Sequence, residues 1–140
     1  MAANEPDRGP HLTMANEDYL ESIYRIMSET GASEGVRSVD VAEQLGVSKA
    51  SVNKALATLK EAGYVDQNRY GRVQLTDEGA VYASHVWRCH RMLRSFLERD
   101  LGVDADVADE EACKMEHALS YDTQRRWLDY LQRQGITVDE

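Results

Sequence analysis

The tightest constraint on the fold lies between Ser38 and Leu75, where two short amphipathic segments and two period-two runs follow one another with only turn residues between them. Ser38 to Leu45 carries Val39, Val41, Ala42 and Leu45, with Ser38 as its expected N-cap, and Gly46 stops it. Ser48 caps a second segment whose apolar stripe is Val52, Ala55, Leu56 and Leu59, and Gly63 ends it. Two helices joined by a short turn containing glycine make a helix-turn-helix. After Gly63 the period drops to two. Tyr64–Gln67 and Arg72–Leu75 read as strands around Asn68-Arg69-Tyr70-Gly71, a hairpin signal ending in glycine. A helix-turn-helix running directly into a hairpin is a winged helix, which sets its second helix for the major groove and its wing near the DNA backbone.

Helical periodicity governs the rest. From Asn16, the residues Tyr19, Leu20, Ile23, Tyr24, Ile26 and Met27 recur on one face, and the breaker cluster at 30–35 ends that helix. Thr76 opens a long helix reaching about Asp100, with Val81, Val86, Met92, Leu93, Phe96 and Leu97 as its apolar positions. Gly102 breaks it, and two further helices are expected over roughly 104–118 and 120–134. The fold class is therefore mainly α. It comprises a polar, flexible arm over 1–15, an N-terminal winged helix-turn-helix over 16–78 and an all-helical domain over 79–140.

A formal charge of −9 argues at first sight against a nucleic-acid partner, but the charge is unevenly spread. Between Arg37 and Gln74 the six basic residues outnumber four acids, whereas between Glu98 and Asp122 nine acids face two basic residues. The segment Ser48 to Lys60 contains lysines and no acid. The expected DNA-binding residues are Arg37, Ser48, Lys49, Ser51, Asn53 and Lys54, with Arg69 and Arg72 on the wing. The plain alternative is that these lysines are solvated surface. No apolar run approaches the ~20 residues that a membrane helix needs. The start lacks the basic and apolar regions of a secretory signal, so Cys89 and Cys113 are expected as reduced thiols in a cytoplasm.

Residues 113–117 read Cys-Lys-Met-Glu-His, and on a helix Cys113, Glu116 and His117 share one face at i, i+3 and i+4. Asp18 and Glu21 likewise share a face of the first helix, and His90 lies in the long one. Thiolate, carboxylate and imidazole are the donors of a divalent transition-metal site. Taken singly, each has an ordinary role: a core or surface histidine, a small buried thiol, or acids favoured at a helix N-terminus. Cys89 points elsewhere than His90 and belongs to the core.

The segments Glu17-Asp18-Tyr19-Leu20-Glu21-Ser22-Ile23-Tyr24, Asp40–Gly63, Leu75-Thr76-Asp77-Glu78-Gly79 and Glu111–Ser120 together resemble the diphtheria toxin repressor family, metal-activated dimeric winged-helix repressors. Asp18 and Glu21 are similar to the manganese transport regulator branch, since iron sensors tend to carry Met at the first of these positions. The resemblance implies a metal site of Asp18, Glu21, His90, Cys113, Glu116 and His117, taking Mn(II), with Fe(II) and Zn(II) as alternatives, and two ions per protomer. Cys113 departs from the Glu frequent in that branch. Arg94 and Asp109 stand where iron sensors carry a Glu and a His of an ancillary site, which is not carried over. The chain ends at Glu140, too early for the SH3-like domain of larger members.

The implied partners are a second copy of the chain and a double-stranded operator with an inverted repeat, with no membrane involved. Metal would draw the winged helix onto the dimerisation half and so fix the spacing of the two recognition helices. Leu93, Phe96, Leu97, Trp127, Tyr130 and Leu131 are the expected dimerisation set, or else the core of one protomer. Three other readings are a winged helix sensing an organic ligand or oxidation at Cys113, a binuclear hydrolase, and a winged helix for protein contacts only. The hydrolase is disfavoured, because nothing resembles a phosphate loop and little chain is left over; the protein is not expected to be an enzyme.

Overall fold

The computed structural model describes residues 12–31, 35–68 and 71–136, which fall into two compact units, one ending at Ser84 and the other beginning at His85. The first contains α1 (Met14–Thr30), α2 (Ser38–Leu45), α3 (Lys49–Glu61), β1 (Val65–Gln67) and β2 (Val73–Leu75). The division falls inside α4 (Asp77–Ser95), and the second unit continues with α5 (Ala105–Ala118) and α6 (Tyr121–Arg133). The expected arm lies mostly outside the described residues, as do residues 32–34 of the breaker cluster and Arg69 of the wing.

In the first unit each helix starts where a local acceptor is available. Thr13 caps α1 by accepting from the Asn16 amide at 3.2 Å, so this helix begins two residues before its apolar period does. Ser48 caps α3 in the same way, accepting from the Ser51 amide at 3.1 Å. Ser38 is not a cap. Arg37 holds that position with φ −82° and ψ 140° and makes no side-chain cap. The reason is a pairing the sequence did not advertise: Val36 bridges Val73 through hydrogen bonds of 2.7 and 2.8 Å, which holds the backbone extended up to Arg37.

The hairpin is antiparallel, with Val65 opposite Leu75 and Gln67 opposite Val73. Each strand is one residue shorter than expected at its N-terminal end. Tyr64 stays out of β1 because its amide is spent on the Leu59 carbonyl and its carbonyl on the Thr76 amide, both at 3.0 Å. Leu20 and Ile23 from α1, Val41 from α2, Val52 and Leu59 from α3, and Tyr64, Val65 and Val73 are all almost completely buried and make this unit's core.

Gly79 closes the corner between hairpin and α4. A Cβ on it would stand 1.9 Å from the Tyr64 carbonyl oxygen, so only a hydrogen fits there. Thr76 ties the same corner, donating to the Gly63 carbonyl at 2.7 Å and accepting from the Gly79 amide at 3.0 Å. Gly79, Tyr82, Ala83 and Val86 take the inward face of α4, and Val81, expected among its apolar positions, is turned out and 56% exposed.

In the second unit α4 does not run as a regular helix to Asp100; it widens into a π-helical turn over Phe96–Asp100. Cys89, Met92, Leu93, Leu97, Ala108, Ala112, Leu128 and Leu131 form one buried cluster, with Phe96 and Trp127 packed against it. Half of the expected dimerisation set, Leu93, Leu97 and Leu131, is thus core of the single chain, while Tyr130 is exposed. Cys89 is core, as expected. Among the described residues, no helix is long and apolar enough to cross a membrane.

Candidate metal centre and nucleic-acid interface

The second unit collects imidazole, carboxylate and thiol side chains from α4 and α5. His90 is buried on α4, with its Nε2 2.8 Å from Asp109 Oδ1 and its Nδ1 3.5 Å from Glu116 Oε1. The Trp87 ring stacks on it at 5.5 Å, only 9° from parallel, as residues three apart on a helix can. The Glu116 side chain is fully buried, and its Oε1 is also 3.4 Å from His117 Nε2. The half-buried Cys113 has its Sγ within 4.8 Å of a His117 ring nitrogen. Cys113, Glu116 and His117 therefore lie together on α5, as their spacing predicted, and His90 joins them from α4.

The end of α5 is held in place. The Gln124 side-chain amide of α6 donates to the Glu116 carbonyl, and its oxygen sits 2.9 Å from His85 Nε2. His85 in turn stacks on Tyr121 at 3.8 Å. A carboxylate is expensive to take out of water unless positive charge or hydrogen-bond donors accompany it. A buried Glu flanked by two imidazoles, one of which has a thiol close by, is a donor set suited to a divalent cation, so the residues present fit the metal that the sequence suggested.

Asp18 and Glu21 belong to the other unit, on α1, Asp18 half-buried and Glu21 buried. They follow Glu17, which is buried and already committed, since it accepts from the Tyr82 hydroxyl at 2.5 Å. Burial first, and then the bond to Glu17, push the Tyr82 phenol well above its ordinary range. Tyr82 also packs against Tyr64, ring centroids 5.0 Å apart. This chain of contacts fixes the rotation of α1, and with it the direction in which Asp18 and Glu21 point.

The exposed face of α3 carries Lys49, Ser51, Asn53 and Lys54, opposite its buried stripe. Ala57 and Thr58 continue the same face and went unnoticed in the sequence, although their spacing from Asn53 and Lys54 could have shown it. The Ser48 hydroxyl is engaged in the cap and donates to Ser51 Oγ at 2.9 Å. Arg37 is exposed and paired with Asp40 at 3.0 Å. Arg72 is half-buried, and its guanidinium donates to the Gly35 carbonyl at 3.4 Å. Asn68 shapes the wing by accepting from the Arg72 amide at 3.0 Å.

Two residues next to His90 were missed or set aside. Trp87 gave a signal through its three-residue spacing from His90. Asp109 precedes Cys113 by four and His117 by eight, which continues the ligand stripe by one turn of α5. Burial works to raise the Asp109 pKa, but its hydrogen bond to His90 and the charges of His90 and Arg94 outweigh this and hold it below the usual carboxylate value.

Comparison with known proteins agrees with both halves of this description. Residues 11–73 match the family described as "Iron dependent repressor, N-terminal DNA binding domain", and residues 76–134 match "Iron dependent repressor, metal binding and dimerisation domain". The chain is 33% identical over 132 residues to the transcriptional regulator MntR of Salmonella typhimurium, covering 94% of this chain and 82% of that one. It is 34% identical over 109 residues to an HTH-type transcriptional regulator of Methanocaldococcus jannaschii, 78% of this chain and 86% of that one.

Among solved structures it is similar to the manganese regulator SloR, with TM-score 0.67 and 31% identity over 82% of this chain. It is also similar to a manganese-dependent transcriptional repressor in complex with manganese, with TM-score 0.65 and 33% identity over 84% of this chain. The chain spans about half the length of these two, 54% and 52%.

Proposed function

From the premise that this chain belongs to the iron-dependent repressor family, on its manganese-regulator branch, we propose that it is a dimeric repressor that binds its operator when Mn(II) is present and shuts off genes of metal uptake. The family is one of metal-dependent, DNA-binding transcriptional regulators, not of enzymes. The observation that carries the reading is the meeting of His90, Cys113, Glu116 and His117 in a chain whose other unit is a winged helix.

In this reading Asp18 and Glu21 complete the ligand set, as the family resemblance implies, and two ions are held per protomer. The metal supplies positive charge to a group of carboxylates that repel one another without it. Glu116 offers its oxygens between two imidazoles. Glu17, tied to Tyr82, keeps α1 from turning its acids away. Mn(II) suits the carboxylate-rich set. The half-buried Cys113 thiol favours Fe(II) or Zn(II) as the second reading.

Lys49, Ser51, Asn53 and Lys54 are proposed to meet bases and phosphates of an inverted-repeat operator in the cytoplasm, with Arg37, Arg69 and Arg72 close to the backbone. The Ser48 side chain, occupied in the cap, contributes by fixing where α3 starts. If Lys54 neutralises one phosphate, Lys54→Ala lowers the slope of log K against log salt by about 1 and weakens all DNA sequences alike. An unchanged slope in a binding titration at several salt concentrations removes Lys54 from the interface.

The test of the whole reading is an equilibrium Mn(II) titration of the reduced protein, with free ion counted by EPR. Two ions per protomer are expected. One ion takes Cys113 or Glu21 out of the ligand set. No binding at micromolar Mn(II), followed by tight Zn(II) binding, moves the assignment to the softer ion, and binding of neither overturns the metal switch.

A further inference from the structure

The carboxylate of Asp109 is more than half exposed and would pass for a surface partner of Arg94, yet it stands 2.8 Å from Nε2 of the buried His90 ring, closer than the Glu116 oxygen comes to Nδ1. We infer that Asp109 is a positioning residue: it accepts the His90 Nε2–H and thereby fixes the imidazole tautomer whose Nδ1 lone pair faces Glu116. This rests on the metal site proposed above and assigns it a part that the ligand set does not include.

The geometry is specific. An ionised carboxylate can only accept, so the 2.8 Å contact between Asp109 Oδ1 and His90 Nε2 requires the proton on Nε2. The other ring nitrogen, Nδ1, then points at the Glu116 oxygen 3.5 Å away. Trp87 covers one face of the ring at 5.5 Å, so the imidazole is held through Nε2 and on a face. Arg94 braces the arrangement, its Nη1 3.4 Å from the same Asp109 oxygen and its Nε 3.7 Å from Glu98.

The guanidinium also opposes the arrival of a second cation at Asp109, which reserves that carboxylate for the histidine. A ligating imidazole whose far N–H is held by a carboxylate is both oriented and more basic, and loss of such a partner typically costs about 10–100-fold in metal affinity.

The test combines two readouts. In metal-free, 15N-labelled protein, at a pH where the 15N shifts show the ring to be neutral, His90 is expected as the Nε2–H tautomer. Asp109→Ala should give a mixture of tautomers, and Asp109→Asn, which keeps an acceptor oxygen, should retain the wild-type form. In the Mn(II) titration Asp109→Ala weakens binding about 10–100-fold. In a His90→Ala background the same substitution adds nothing, because its route of action is gone.

An unchanged tautomer in Asp109→Ala overturns the inference. So does an equal loss of affinity with and without His90, which would mark a general electrostatic effect. Wild-type protein that binds no Mn(II) overturns the proposed function instead, and the tautomer readout, taken without metal, still decides the role of Asp109.

Discussion

Glu116→Gln is expected to abolish metal-dependent operator binding while leaving a folded dimer. The side chain is fully buried, with one oxygen 3.5 Å from His90 Nδ1 and 3.4 Å from His117 Nε2, so both imidazoles converge on it. The amide keeps the volume and therefore the packing, but removes the charge that a divalent ion needs. A residue that only orients a ligand is worth about 10–100-fold in affinity, so loss of this charge should cost at least about 100-fold, or about 2.7 kcal/mol. Equilibrium titration with Mn(II), operator binding at saturating metal and sedimentation of the metal-free variant separate the outcomes. Glu116→Ala should do the same with an added loss of stability from the cavity. Unchanged Mn(II) affinity in either variant would remove Glu116 from the site.

Gly79→Ala should have the largest effect on stability. The added methyl would lie 1.9 Å from the Tyr64 oxygen and 2.8 Å from its carbonyl carbon, both backbone atoms that no rotamer change can move. That oxygen accepts from the Thr76 amide at 3.0 Å, so the turn can yield only by losing a hydrogen bond. The first turn of α4 must lift instead, which disturbs Tyr82 and its bond to Glu17 one turn further on. A loss of about 3 kcal/mol or more is expected, against the 1–3 kcal/mol usual for about one extra methylene in a packed core. Thermal unfolding followed by circular dichroism should fall by roughly 10 °C. A melting temperature within about 2 °C of wild type would mean that the corner is looser than described. The two variants also fail differently, Glu116→Gln in function with the fold intact, Gly79→Ala in the fold itself.

The parts of this molecule legible in the sequence are those set by neighbours along the chain. The Ser48 cap, the stripe from Val52 to Leu59 and the turn at Gly46 are local, and all appear as read. So does the common face of Cys113, Glu116 and His117, because helical spacing alone determines it. What was illegible depends on segments distant in sequence. The Val36–Val73 bridge displaced the expected cap from Ser38, and nothing near Val36 announces it. Val81 looked apolar enough for the core, but the close approach at Gly79 sets the inward face of α4 on Tyr82 and Ala83 instead. At the site, Asp109 is set aside on family grounds, and Glu17 has no role in the sequence beyond its place in the segment Glu17–Tyr24. Their partners, His90 and Tyr82, come from other parts of the chain, and only folding brings them together.

The acids on the outside of α5, Asp106, Asp109, Glu110 and Glu111, have a consequence for how such a regulator searches a chromosome. Affinity for random DNA comes almost wholly from neutralised phosphates, and the basic excess of residues 37–74 is slight, six basic residues against four acids. On the proposed reading, fewer of its copies would be spread along the genome than of a strongly basic repressor. The abundant competing sites, which soak up basic repressors in large numbers, would hold fewer of these. If the chain is the metal-dependent repressor proposed above, a cell could answer a change in metal with a small standing population of it, because the molecules that take up metal would be at liberty to find the operator.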